Sequence, residues 1–362
     1  MIVVGSLKFS PVYKSHCCAF GKACEEAGYP VSYLFSHEYA WMLSEDVKEK
    51  TLFIGGSVDI PSMLRVTLSF RNIRTIRKAF SKDKITHVYL HNYHFLNHYI
   101  AKSCRKNGCK FIYHVHEPYV ENKSAHGGLQ QYWLHLNEFA EKRLLKNTDV
   151  AVVSSKEASR LFGEHYSWFK GKRVQIPLMY EDLGGEAATT NERKYITFVG
   201  PPVPAKGPEI FLKIVDYSSK HSLGLSFLLI SRMKINDPKY LERDNLAVFY
   251  RERLSDEEFG DLMRKSLMVL TPYKRETQSS VILVSYMYGT PVVSSDVGGM
   301  PEFVNHGKTG YLVSIDSPIE EWIGWIFFVL ENLHGMKVNC REYFVGTFSG
   351  RNWGKYFSDL LA

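Results

Sequence analysis

The chain has 362 residues, enough for two domains of ordinary size, and its 45% hydrophobic and 23% charged content is that of a globular protein able to bury substantial cores. A net charge of +7 and a pI near 8.9 suit an anionic substrate or an anionic membrane surface. No nucleic-acid-binding module accompanies that charge, which sets nucleic acid aside. Cys17, Cys18, Cys24, Cys104, Cys109 and Cys340 form no paired C-x-x-C clusters, and a chain of this size needs no disulfide framework, so a reducing cytosol is expected. MIVVGSLKF at the start reads as a strand rather than a signal peptide, and the apolar run Trp325–Leu330 is too short to span a bilayer.

In chain order, Ile2–Val4, Val31–Phe35, His87–His91, Phe111–Val115 and Val150–Ser154 read as strands. His16–Ala27, Arg65–Ser81, Asn97–Asn107 and Leu129–Lys146 read as helices between them. This alternation predicts a parallel sheet covered by helices. Glu181–Lys194, EDLGGEAATTNERK, is polar, lacks aromatic residues and reads as a linker. The alternation restarts with strands at Tyr195–Val199, Ser226–Ile230, Leu246–Tyr250, Leu267–Pro272, Pro291–Ser295 and Gly310–Val313. Domains are expected over residues 1–180 and 195–338, joined by 181–194. The aromatic segment 339–362 would be a terminal packing helix.

Several stretches suggest chemistry. After the strand Pro291–Ser295 comes the turn Val297-Gly298-Gly299, then Pro301 and Glu302. A glycine turn at the carboxyl end of a strand, opening a helix, is a place where open α/β sheets bind phosphates through backbone N–H groups. His87, His91, His94 and His98 form a run in which spacing of four could align His94 and His98 on a helix as metal ligands. No cysteine or carboxylate completes the set, so no metal is expected; His91, Asn92 and Tyr93 read instead as a strand's carboxyl end lining a binding site. In RVTLSFRNIRTIRKAFSKDK (Arg65–Lys84), Leu68, Ile73, Ile76 and Phe80 recur at helical spacing opposite basic residues. That pattern fits either docking on an anionic membrane or a solvated surface helix.

The stretch Thr271–Val313, TPYKRETQSSVILVSYMYGTPVVSSDVGGMPEFVNHGKTGYLV, resembles the donor-site core of retaining glycosyltransferases of family 4. ITFVGPPVPAKGPEIFLK (Ile196–Lys213) is similar to the start of that family's second domain. HCCAFGKACEEAGYPVSYLF (His16–Phe35), FIYHVHEPY (Phe111–Tyr119) and LLKNTDVAVVSSKEASRLF (Leu144–Phe162) resemble its N-terminal landmarks, in the expected order. The Thr-Gln-Ser donor loop is similar to that of one branch of the bacterial polysaccharide-building members.

The resemblance implies an α/β GT-B fold, two Rossmann-like domains facing a cleft, with 339–362 crossing back to the first. It implies a peripheral or cytoplasmic enzyme that moves a sugar, with retention, from a nucleotide-diphosphate donor to a glycan, lipid-linked or protein-linked acceptor, and that needs no metal. Lys206 and Gly207 would meet the leaving diphosphate, Gln278, Ser279, Ser280 and Val281 would offer amides to the distal phosphate, and Glu276 would approach the donor sugar. His116 would border the reacting carbon, with His114 a core residue. Tyr13, Lys14 and His16, in a first loop Phe9–His16, are acceptor-side candidates by position, as are His91, Asn92 and Tyr93. Three departures stand out. That first loop lacks the Gly-Gly pair usual in the family. Pro201 occupies the place of a family Arg, so one diphosphate cation is missing or is supplied by Arg232, Arg251 or Lys274. Val284 occupies the place of a second Glu, and valine cannot accept a hydrogen bond from a ribose. Taken without the resemblance, Lys206 is a loop lysine, Glu276 and Ser279 are helix caps and His116 is a core histidine. The departures also motivate a rival reading, a non-catalytic relative that binds a partner or a glycan.

Overall fold

A computed structural model describes residues 1–55, 60–82, 84–118, 129–185 and 193–362. Half of the expected linker, 186–192, thus lies outside the described residues. The chain divides into two compact units, Met1–Glu181 with Gly350–Ala362, and Asp182–Ser349.

Unit 1 is built on strands β1 (Ile2–Ser6), β2 (Val31–Ser36), β3 (Thr51–Ile54), β4 (His87–His91), β5 (Lys110–His114), β6 (Val150–Val153) and β7 (Lys172–Gln175). They pair in parallel in the order β3-β2-β1-β4-β5-β6-β7. Parallel neighbours need helical crossovers, supplied by α1 (Pro11–Glu26), α2 (Glu45–Glu49), α3 (Ile60–Leu68), α4 (Phe70–Lys82), α5 (Leu96–Asn107), α6 (Leu129–Leu145) and α7 (Lys156–His165). One face of the sheet packs on Val66, Ile76, Ile100, Leu144 and Phe162 of α3 to α7. The other packs on Phe20 of α1 and on Trp353 and Leu360 from the returning C-terminus. That return begins at Gly350, whose N–H meets the Tyr180 carbonyl at 2.8 Å. It is later than residue 339, because α14 (Leu333–Tyr343) still belongs to unit 2.

Unit 2 repeats the plan with β8 (Tyr195–Val199), β9 (Ser226–Ser231), β10 (Leu246–Tyr250), β11 (Ser266–Thr271), β12 (Val292–Ser295) and β13 (Gly310–Val313). The order is β10-β9-β8-β11-β12-β13, all parallel. Its helices are α8 (Pro208–Lys220), α9 (Pro238–Leu241), α10 (Asp256–Arg264), α11 (Ser280–Met287), α12 (Met300–Phe303), α13 (Ile319–Glu331) and α14; α15 (Phe357–Leu360) ends the chain in unit 1. The core gathers Phe198, Phe211, Leu229, Leu270, Trp322 and Ile326.

Three sequence expectations change. The first helix starts at Pro11, not His16, because Ser10 adopts an extended cap conformation and proline suits the first helical turn. The helix expected over Arg65–Ser81 is two helices broken at Ser69. Its supposed apolar docking face is not free either: Ile76 and Phe80 are buried in the core. The strands β3 and β7 escaped the sequence reading, being four residues each; β7 (KRVQ) buries only Val174.

Candidate functional site

In both sheets the crossovers reverse direction beside the central strand, at β1/β4 and at β8/β11. Outside the carboxyl ends of strands flanking such a reversal, two loops diverge and leave a crevice where ligands bind.

In unit 2 the β8 loop brings Lys206 to this crevice and the β11 loop brings Pro272–Ser279. Gly207, between a short turn and α8, has φ 61°, and a Cβ there would overlap the Pro272 carbonyl. Only glycine lets the two loops touch. The Lys206 ammonium lies 5.3 Å from the centroid of the buried Tyr273 ring and against Gly200. The N-terminus of α11 opens beside it. Ser279 caps that helix by accepting from the Ile282 N–H at 3.4 Å; Gln278 and Ser279 are buried, while Ser280 and Val281 are half-buried. The structure therefore brings Lys206, Gly207, Glu276, Gln278, Ser279, Ser280 and Val281 to one end of one sheet, a place where an ammonium and a helix dipole both favour an anion.

Gly298 and Gly299 do something other than the sequence suggested. The Gly299 N–H donates to the Glu276 carbonyl at 3.0 Å, and Cβ atoms at Gly298 (φ 51°) and Gly299 would overlap the Glu276 and Thr277 carbonyl oxygens. This turn follows β12, one strand away from the reversal, and α12 behind it has only four residues. It buttresses the Glu276 loop.

The replacements for the missing Arg are engaged elsewhere. An Arg232 N–H donates to the Leu254 carbonyl at 2.6 Å. Arg251 pairs with Glu258, and Lys274 with Glu209. Val284 is half-buried on α11, and neighbouring Ile282 and Leu283 are fully buried.

At the β1/β4 reversal of unit 1 stand Lys8, after β1, and His91 and Asn92, at the end of β4; His116 follows neighbouring β5. Tyr39, fully buried, clamps the β1 loop: its hydroxyl donates to the Lys8 carbonyl at 2.5 Å and accepts the Ser10 N–H at 2.9 Å. Because α1 starts early, Tyr13 and His16 are helical rather than loop residues. The Tyr13 ring packs 4.6 Å from His91 and 4.9 Å from His116, and its hydroxyl accepts from the Asn92 side chain. Asn92 sits at φ 66°, a left-handed conformation that Asn tolerates better than most residues. Tyr93 leaves the group: it is buried in the core with its hydroxyl 3.1 Å from His98.

The histidine run does not converge. His94 accepts the Leu96 N–H at 3.0 Å, ahead of α5 rather than on it, while His98 faces Tyr93 and His87 faces Thr86. His91 instead joins His16 and His114, all fully buried, with one nitrogen from each ring within 4.8 Å of the others. That set has the residue types of a metal site. Its protonation argues against one. The Met179 N–H donates to His16 Nδ1 at 3.1 Å, so a neutral His16 carries its proton on Nε2, the atom facing the other rings. Burial holds these rings neutral: His16 is pushed down to about 3, and His91 and His114 lie well below the usual range. Half-buried His116 is also pushed down to about 3, by burial and then by the Lys8 charge.

Sequence reasoning missed Lys8, Glu141, Tyr89 and Ser154. Lys8 keeps much of its surface in solvent, yet surrounding protein pulls its amine below the usual value, against Glu141 and Glu117. Glu141, held by the Tyr113 hydroxyl at 2.5 Å and the Tyr166 hydroxyl at 3.3 Å, is raised by burial to about 7. A charged residue directly after the first strand was the available signal for Lys8; the others meet only in the fold.

Residues 14–177 match Glycosyltransferase Family 4, and residues 193–332 match Glycosyl transferases group 1. The D-inositol 3-phosphate glycosyltransferase of Corynebacterium glutamicum (strain R) is 24% identical over 262 residues, covering 66% of this chain and 62% of that protein. That of Streptomyces avermitilis is 32% identical over 203 residues, covering 49% and 42%. The chain thus spans less than two thirds of the length of these relatives. Among solved structures, sucrose-phosphate synthase from Thermosynechococcus elongatus superposes with a TM-score of 0.72 at 15% identity, covering 99% of both chains. Anabaena HepE in complex with UDP and glucose gives 0.67 at 12%, covering 100% of this chain and 99% of that one. Two parallel sheets of one topology, together with these matches along both halves, place the chain among the glycosyltransferases of GT-B fold.

Proposed function

We propose that this chain transfers a glycosyl group, with retention of configuration, from a nucleotide-diphosphate sugar to a glycan, lipid-linked or protein-linked acceptor in cell-surface polysaccharide or glycoconjugate synthesis. The observation that carries this is the meeting of Lys206, Glu276 and the start of α11 at the β8/β11 reversal. The bond from the anomeric carbon to the diphosphate breaks, a bond to an acceptor hydroxyl forms, and the hydroxyl proton passes to the departing phosphate oxygen. Lys206 and the amides of Ser280 and Val281 receive the growing negative charge, so this chemistry requires no metal. Glu276 holds the sugar. With valine at 284, recognition rests on sugar and phosphate more than on ribose. Lys8, Tyr13, Asn92 and His116 form the acceptor end of unit 1. The relatives are D-inositol 3-phosphate glycosyltransferases, which puts phosphate-bearing acceptors among those to test.

Glu276→Ala decides this reading: with a competent donor and acceptor, transfer should fall nearly to background. Near-parental activity would reduce Glu276 to a helix cap and favour the non-catalytic alternative, for which Pro201 and Val284 speak.

The proposed seat of action is the inner face of a membrane. No helix among the described residues is long and apolar enough to cross one. At the α3–α4 break, however, Leu64, Leu68 and Phe70 are exposed, Phe70 at 88%, among exposed Arg65, Arg71, Arg74 and Arg77. Apolar tips within a basic rim fit an anionic bilayer. Replacing Arg71, Arg74 and Arg77 by Gln should weaken binding to phosphatidylserine vesicles by about 1 kcal/mol per residue. Indifference to the triple change leaves an ordinary surface helix.

A further inference from the structure

A chain of hydrogen bonds with a defined direction runs through the buried face of the first sheet. His16, receiving the Met179 N–H at Nδ1, must donate from Nε2, and its nearer partner, at 2.8 Å, is the Tyr89 hydroxyl oxygen, with His114 Nδ1 at 3.2 Å. Tyr89 is thereby left to donate its own proton to His114 Nδ1 at 2.6 Å. His114, neutral and accepting at Nδ1, carries its proton on Nε2 and donates to Ser154 Oγ at 2.6 Å. Four side chains from α1, β4, β5 and the end of β6 are thus fixed in one tautomeric state by a single backbone N–H.

His91 lies flat on this locked ring. Its imidazole stacks on His114 at 4.1 Å with an interplanar angle of 6°, and it is fully buried. Its Nε2 is 3.3 Å from His116 Nδ1, while its Nδ1 has no hydrogen-bond partner among the described residues. Two arrangements satisfy the His91–His116 contact. If His116 donated, His91 would have to carry its proton on Nδ1, burying an unpaired N–H. If His91 donates from Nε2, its buried Nδ1 is a bare lone pair and both rings take the Nε2–H form. Orphaned buried N–H groups are rare in folded proteins, and the second arrangement avoids one.

We infer that His91 is a positioning residue that fixes His116 as the Nε2–H tautomer, making His116 a hydrogen-bond donor to a ligand oxygen and not a base that removes the acceptor's proton. This rests on the glycosyltransferase reading for the identity of the ligand, a carbohydrate or phosphate oxygen, but the tautomer itself does not. Around the pair stand Tyr13 from α1, Lys8 from the β1 loop, and the neutral rings of His16 and His114.

The test uses the intact chain labelled with 15N at histidine. Long-range proton–nitrogen spectra from pH 6 to 8 should show His116 with a protonated Nε2 and an unprotonated Nδ1, without titration. In His91→Leu that signature should collapse into a tautomer mixture; His91→Gln, whose amide can donate to His116, should restore it. With a competent donor and acceptor, His91→Leu should lower kcat about tenfold and leave the KM for the nucleotide sugar within twofold. His116→Gln, which keeps a donor near Nε2, should retain at least tenfold more activity than His116→Asn. Thermal unfolding identifies any variant that has merely lost its fold. A wild-type spectrum with His116 protonated at Nδ1 overturns the inference whatever the activity. Absence of transfer in the wild type with every donor tried would overturn the glycosyltransferase reading instead, and leave the tautomer to stand on the spectra.

Discussion

The two units share one strand order and one helical covering, yet their interiors differ in kind. Unit 1 buries His16, His91, His94 and His114 completely, with His16, His94 and His114 hydrogen-bonded to tyrosine, serine and backbone groups and His91 to His116. Unit 2 leaves its His221, His306 and His334 on the surface and fills its core with Phe, Ile, Leu, Met and Trp. The same topology therefore tolerates two kinds of core. An apolar core is indifferent to pH, because none of its groups changes charge. A core of neutral imidazoles is stable only while the rings stay unprotonated.

The largest test of this contrast is acid. Folded His16 and His94 sit at about 3, with His91 and His114 well below their ordinary 6.5. The unfolded chain takes up protons as pH falls through 6.5, while the folded chain does not. Unit 1 therefore holds its full stability above about 6.5 and loses it as pH falls from there toward 3. Each histidine contributes up to about 1.4 kcal/mol per pH unit, so four give an upper bound of about 5 kcal/mol per pH unit. Glu141 opposes this: raised to about 7, it lends stability at low pH that is lost as pH rises through 7, but it is one group against the four buried histidines and His116. Hydrogen exchange at pH 7.5 and 5.5, corrected for intrinsic rates, should show protection falling in β1, β4 and β5 and holding in β8, β9 and β11. Equal loss in both sheets would break the contrast.

Lys206→Ala carries the comparison to the other unit. It should weaken nucleoside-diphosphate binding by about 2–4 kcal/mol in calorimetry and leave exchange protection in unit 1 unchanged. Unaltered binding would remove Lys206 from the site. Gly298→Ala sharpens the same point by a smaller amount. A left-handed backbone and a collision with the Glu276 carbonyl should cost about 1–3 kcal/mol of stability. The displaced Glu276 loop should raise the KM for donor. An alanine tolerated in both respects would mean the turn does not brace that loop.

Much of this arrangement was legible in order along the chain. Apolar strands separated by helical stretches announced two parallel sheets, because a parallel pair needs a long crossover. Lys206-Gly207 and the Glu276–Ser280 loop were readable as local strings whose parts act within a few residues of each other. Short edge strands were not: β7 has one inward residue, too few to show a period. The α3–α4 segment misled, since Ile76 and Phe80 sit at the spacing of a docking face but belong to the core.

What the sequence determined by itself was therefore the alternation of elements, the two-domain plan and the local loops, all of which depend on neighbours in the chain. Only the tertiary structure decided that Gly298 and Gly299 brace the Glu276 loop, because a collision with a carbonyl more than twenty positions away leaves no mark on the local pattern. It also decided the fate of the histidines. His16, Tyr89, His114, Ser154 and Met179 come from five separate elements or connections, and parallel strand order sets them side by side. Where an imidazole keeps its proton is settled by the partners of both its nitrogens, and those partners exist only once the sheet has formed.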